Sequence, residues 1–296
     1  MTDPHWPRAS EWLRGGGAAR PCLSVLGVPL HLGSITPGRC DLAPAAIRAA
    51  LDRFSTWDFE LSRDLRELPV RDLGDLPLAG ARPEEALAPV AQAVREAAGR
   101  MVLLGGDNSL TRPACHGLGP LHTCGLLTFD AHLDLRSLEG GLTNGNPVRA
   151  LLADGMPGSQ IVQIGIQSFA NSPDYARVAR DAGIRVIGVD EVRALGIEAV
   201  ASTALSHLSR RANAIYVDLD LDVLDRAFAP AAPGSRPGGL APWEVRRAAR
   251  VCGRHPKVRA MDLVEMDPSR DIADTTALTA AACLLAFAAG VLEARP

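Results

Sequence analysis

Two short stretches carry the clearest chemistry in this sequence. Asp130-Ala131-His132-Leu133-Asp134 alternates two carboxylates with an imidazole, and Asp220-Leu221-Asp222 repeats the spacing with two more carboxylates. On an extended backbone such alternation points each set to one side. Groups of this kind brought together repel one another unless a cation lies between them. Oxygen-rich ligation with a single nitrogen suits Mn²⁺ better than Zn²⁺, and it is richer in nitrogen than a Mg²⁺ or Ca²⁺ cage. Five ligands exceed what one hydrolytic ion needs, which points to two ions.

The elements that must hold these groups read as a repeating unit. Short apolar runs at Leu23–Val28, Met101–Leu104, Gly125–Phe129, Ile161–Ile164, Val186–Val189, Ala214–Val217 and Val258–Leu263 predict strands. Amphipathic stretches near Pro44–Phe54, Pro83–Ala98, Pro147–Ala153, Asp174–Ala182, Ile197–Ser209 and Pro242–Val251 predict helices, several opened by a proline whose missing N–H is harmless there. Strands alternating with helices predict a mostly parallel sheet covered on both faces. Ligands of such sheets gather beyond the carboxyl ends of the strands. Four predicted strands run into acidic groups there: Gly105-Gly106-Asp107-Asn108, the segment from Asp130, the segment from Asp218, and Glu265.

Composition narrows the class. The chain has 296 residues, 47% hydrophobic and 22% charged, which suits a globular core and excludes disorder. Lys plus Arg number 31 against 34 Asp plus Glu, and the net charge of −3 offers nothing to nucleic acid or an anionic membrane. No linker or repeat divides residues 1–296, so we expect one domain, with residues 1–20 a loosely ordered extension. The six cysteines form no Cys-x-x-Cys pair and read as reduced thiols, Cys40 in an early loop being the one to follow. The apolar run Leu278–Leu292 reads as a packed terminal helix and the N-terminus lacks a signal-peptide pattern, so the expected location is cytoplasmic. His31, His116, His122, His207 and His255 lack partner motifs, and Gly15-Gly16-Gly17 follows no strand.

With these motifs in order, the chain resembles the ureohydrolase superfamily of arginases, agmatinases and formimidoylglutamases. The likeness runs from about residue 20 to the C-terminus. It includes Gly38-Arg39, Ala43–Arg48, Gly105–Ser109, Phe129–Asp134, Asn144–Arg149, Asp220 through Asp225 to Ala229-Pro230, Gly238-Gly239-Leu240, Val264–Pro268, Asp271 and Thr275-Thr276-Ala277. The resemblance implies a three-layer α/β/α fold, a binuclear Mn²⁺ centre, hydrolysis of a guanidino or amidino carbon, and a homo-oligomer, trimer or hexamer. It implies that Asp130, His132, Asp134, Asp220 and Asp222 ligate the metals, with Asp130 and Asp220 bridging. Asp134 would also accept a proton in the reaction, and Glu265 would pair with the substrate's cationic end.

Two positions depart from the family pattern. Asn108 stands where a ligand histidine is usual, and a neutral amide oxygen is the poorer donor, so the ion beside it should be weak or missing. Asn144 stands where arginases and agmatinases carry a histidine, and an amide relays no proton at neutral pH. Asn144 with Arg149, and Arg136 beyond Asp134, resemble the formimidoylglutamase branch. Its small-molecule substrate, N-formimidoyl-L-glutamate, carries carboxylates that Arg136 or Arg149 would clamp. The segment from Arg136 to Arg149 is the candidate for closing over the site. Another guanidino or amidino acid as substrate, and a non-catalytic relative with a degraded metal site, remain the alternatives.

Overall fold

Side chains on the central strands divide alternately between two cores. The computed structural model describes residue 3 and residues 5–295. Its strands are β1 (Leu23–Gly27), β2 (Trp57–Asp58), β3 (Arg63–Asp64), β4 (Val70–Asp75), β5 (Arg100–Leu104), β6 (Cys124–Phe129), β7 (Ile161–Ile166), β8 (Arg185–Gly188), β9 (Ala214–Leu219) and β10 (Val258–Leu263). β2 and β3 form a small antiparallel ribbon. The other eight make one sheet in the order β4-β1-β5-β10-β9-β6-β7-β8, with every pairing parallel. On β6, Leu127 and Phe129 join one core and Cys124 and Leu126 the other. That is the period-two pleat of a strand buried on both faces.

The helices are α1 (Ala9–Gly15), α2 (Ala43–Ala50), α3 (Pro83–Glu96), α4 (Thr111–Gly117), α5 (Pro147–Ala153), α6 (Pro173–Ala182), α7 (Val189–Leu195), α8 (Ile197–Ser209), α9 (Pro242–Arg254) and α10 (Thr275–Glu293). α1, α2 and α7 through α10 cover one face, and α3 through α6 cover the other. The expected α/β/α layering is therefore present, and each predicted strand lies within two residues of an observed one at each end. The strand order matters most for the site. β9 and β10 insert between β5 and β6, so the four strands that end in acidic groups are neighbours at the centre of the sheet.

α10 is long and apolar enough to cross a membrane, yet it packs against α9 and α2 with Cys283, Leu284 and Phe287 fully buried. Gly290 and Gly253 sit where α10 crosses α9, and a Cβ on either would run into the backbone of the other helix. β4 escapes a reading by apolar runs because it is an edge strand of mixed polarity, Val-Arg-Asp-Leu-Gly-Asp. Arg48 on α2 grips its Asp72 through two bonds of 2.8 Å.

The N-terminal extension is a correction. Residues 9–15 form α1, which buries Ala9, Trp12 and Leu13, and Trp12 Nε1 donates to the Leu68 carbonyl at 3.2 Å. These three positions make a one-face apolar stripe, short but sufficient when a core waits beneath it. Met1, Thr2 and Pro4 lie outside the described residues. Replacing Trp12 by Ala should cost about 3 kcal/mol of unfolding free energy, read from urea melts. A loss below about 1 kcal/mol would mean that α1 docks without contributing to the fold.

Candidate active site

Three of the four acidic strand ends are shaped by an aspartate that caps its own turn. Past β6, Asp130 accepts from the His132 N–H at 2.6 Å. Past β9, Asp220 accepts from the Asp222 N–H at 2.8 Å. Past β5, Asp107 accepts from the Ser109 N–H at 3.0 Å. An aspartate bonding two residues on turns the chain sharply and still leaves a carboxylate oxygen to spare. The pleat argument is thus corrected: β6 ends at Phe129, and Asp134 has a left-handed backbone with φ 52°. The side chains converge through turns, with Asn171 latching the loop by bonds to Ala131 O and from Leu133 N.

The result is a set of buried anions around one imidazole. One donor atom each from Asp130, His132 and Asp222 lies within 4.8 Å of the others. His132 Nδ1 stands 2.9 Å from Asp222 Oδ2 and 3.4 Å from Asp130 Oδ1. Gly234 presses against Asp222 and His132 so closely that a Cβ would not fit. In the other half of the site, Asn108 Nδ2 donates to Asp134 Oδ2 at 2.8 Å and to Asp220 Oδ2 at 3.3 Å. Its Oδ1 accepts from Thr111 Oγ1 at 2.7 Å, and that hydroxyl also lies 3.1 Å from Asp262 Oδ2. Placed so, the Asn108 amide presents hydrogen to the carboxylates. A half-turn of the amide presents Oδ1 instead and gives Thr111 an N–H to accept.

Burial dominates the electrostatics. It pushes Asp130 up to about 7, with Asp222 adding to the effect. Asp134 and Asp220 are driven well above the carboxylate range by burial and then by neighbouring anions. Burial followed by Asp107 lifts Glu265 to about 8. Burial works against a charged His132, but Asp222 and Asp130 outweigh it and raise the ring to about 11. Asp222 is held low by His132 in spite of its burial. Hard oxygens in excess with one nitrogen fit a divalent cation of intermediate softness, and the donor set meets that requirement.

A cavity of about 180 Å³ opens onto this cluster and is lined by His132, Asp134, Asp220, Asp222, Glu265 and Asn144, among others. Glu265 also has a left-handed backbone, φ 62°, and its N–H donates to Gly106 O at 2.9 Å. Its Oε1 accepts from the Asn108 backbone at 2.7 Å and from Asn144 Nδ2 at 3.0 Å. Among the described residues Oε2 has no hydrogen-bond partner. Asn144 also accepts from Ile35 N at 3.0 Å and donates its own N–H to Gly33 O at 2.8 Å, bracing the early loop against Glu265.

Of the two predicted arginines, Arg136 lines the cavity and Arg149 is not among the lining residues. Arg149 lies in the first turn of α5, where its backbone N–H donates to Asp134 O at 3.1 Å. Sequence reading missed Arg236, which lines the cavity with Nη1 2.6 Å from His132 Nε2. Its signal was available, since it sits between the Ala229-Pro230 and Gly238-Gly239 motifs. The segment expected to close over the site is tied down: Asn146 Nδ2 donates to Ser137 O and Gly141 O, in addition to the bonds of Asn144. Of the other histidines, His116 pairs with Asp154 at 2.8 Å, away from the cavity. The Cys40 thiol is buried and burial pushes its pKa up, so it is no nucleophile. A larger depression of about 280 Å³ lies by Trp57, Phe59 and Arg250. Arg250 is already matched there by Asp58, Glu60 and Glu293, which leaves no converging reactive groups.

Comparison with known proteins agrees with this fold. A formimidoylglutamase of Halalkalibacterium halodurans is 36% identical over 301 residues, covering 98% of this chain and 94% of that one. A guanidinopropionase of Pseudomonas aeruginosa is 36% identical over 233 residues, covering 74% and 72%. The crystal structure of formimidoylglutamase from Bacillus subtilis superposes with a TM-score of 0.91 at 29% identity, covering 98% of this chain and 94% of that chain. The model of the arginase family matches residues 22–290, and the chain belongs to that family.

Proposed function

We propose that the protein hydrolyses the amidine C–N bond of N-formimidoyl-L-glutamate to give L-glutamate and formamide, using two Mn²⁺ ions. The observation that carries this reading is Glu265. It is a buried carboxylate on the cavity wall, held through Oε1 by two N–H donors, with Oε2 left for the cationic nitrogen of an amidine. The similar formimidoylglutamases support the choice of substrate.

Asp130, His132 and Asp222 would hold one ion. Asp134 and Asp220 would hold the other with Asn108, and Asp130 and Asp220 would be shared. When bound, Mn²⁺ supplies a Lewis acid that brings the ionisation of water toward neutral pH. Asp134, on the cavity wall, would take a proton at its carboxylate and return it to the leaving nitrogen. Asn144 cannot take that part, because an amide does not titrate; it steadies Glu265. The lack of an acid at this position disfavours arginine and agmatine. The second reading is a guanidino acid with one carboxylate, favoured by the likeness to guanidinopropionase.

Release of glutamate from N-formimidoyl-L-glutamate by Mn²⁺-loaded protein tests the reading, against a panel of arginine, agmatine and 3-guanidinopropionate. Asp222→Asn should abolish release, and unchanged turnover would exclude the site. Glu265→Gln should lower kcat/KM by about 10²–10³-fold, because the neutral amide removes the counter-charge that holds the cationic amidine in place.

Metal loading should also change the response of stability to pH. Asp130 and Glu265 hold protons in the fold, up to about 7 and about 8, that the unfolded chain releases near 4. Without Mn²⁺ their contribution is therefore lost as pH rises through that interval. His132, raised to about 11, and Asp222, lowered, stay paired throughout it. Mn²⁺ binds the deprotonated ligands and compensates more at higher pH. The rise in Tm on adding Mn²⁺ should be larger at about pH 8.5 than at about pH 6, and an equal rise would contradict the assignment.

A further inference from the structure

The loop from Asp225 to Gly239 places an arginine at the cavity that no metal or general-acid role requires. Its backbone is held on both sides. Arg226 N donates to Arg236 O at 3.1 Å, Asp225 Oδ2 accepts from Gly238 N at 2.6 Å, and Arg226 Nη1 donates to Ala232 O at 3.2 Å. The side chain of Arg236 is exposed at the cavity, donating to Gly234 O at 3.0 Å and reaching His132 Nε2 at 2.6 Å.

We propose that Arg236 determines specificity by clamping one of the substrate's two carboxylates. The guanidinium makes both contacts through Nη1, which leaves Nε and Nη2 without a partner among the described residues. It can keep Gly234 O and still present a planar pair of donors to the cavity, the geometry that matches a carboxylate. Arg136 lines the same cavity from the loop after Asp134, so two fixed cations meet a ligand with two anions. The substrate class is a dicarboxylate amidine, which rests on the function proposed above.

Calorimetric titration with glutarate, a dicarboxylate with no reacting carbon, reads the clamp directly. Mn²⁺-loaded wild-type protein should bind glutarate roughly 10–100-fold more tightly than Arg236→Gln, the value of a charge-assisted hydrogen-bonded contact. Arg236→Lys should fall between them. Arg236→Gln should also raise KM for N-formimidoyl-L-glutamate. Equal glutarate affinity of the loaded wild type and Arg236→Gln overturns the proposal. So does a weaker affinity of Arg236→Gln for Mn²⁺ itself, which would make Arg236 a prop for His132. If wild-type protein leaves N-formimidoyl-L-glutamate intact, the proposed reaction fails, while the glutarate titration still decides the role of Arg236.

Discussion

Like charges forced together out of water are the condition around which this molecule is organised. Asp130, Asp134, Asp220, Asp222 and Glu265 are all at least nine-tenths buried and meet at one end of the sheet. Such an arrangement is unfavourable by itself, and the surroundings are arranged to contain it. Backbone N–H groups at capped turns, the amide of Asn108 and the ring of His132 each supply partial or full positive charge. Behind them, Tyr216 and Thr111 lie within hydrogen-bond reach of Asp262, so the order continues a further layer into the core.

The sheet order makes this convergence possible. Had the strands followed chain order, β5 and β6 would adjoin, with the ends of β9 and β10 displaced toward an edge. Inserting the two late strands at the centre brings residues more than a hundred positions apart, such as Asn108 and Asp220, within hydrogen-bond distance. Two left-handed backbones, at Asp134 and Glu265, re-aim carboxylates that a regular strand exit would send elsewhere. Each such conformation costs on the order of 1–3 kcal/mol and persists because the packing around it admits no other.

Much of this was legible in the amino-acid order because spacing served two purposes. The Asp-x-His and Asp-x-Asp pairs are both turn caps and candidate ligands, so a pattern read for metal chemistry picked out residues that the fold gathers in one place, although the pleat was the wrong geometry. The apolar runs gave the central strands for a similar reason, since burial on both faces leaves few polar residues in them. What escaped lay where local order carries little information. β4 has a single neighbour and needs no apolar run. α1 is too short to announce itself beside three glycines. Arg236 and Arg149 are both arginines in promising motifs. Only the course of the intervening backbone, a loop folded back over His132 in one case and a helical turn in the other, decides which side chain reaches the cavity.

Asn144 has a kinetic consequence. By bonding to Gly33, Ile35 and Glu265, it welds the early loop, the segment after Asp134 and the end of β10 into one body. Within the segment that sequence nominated as a lid, Asn146 fastens Ser137 and Gly141 at the two ends of its exposed tip. We expect a mouth braced in this way to admit ligands with little rearrangement of its loops, unlike the loop closure that sets the pace of many enzymes. Turnover would then be timed by bond breaking or by product release, with the loops as a fixed frame.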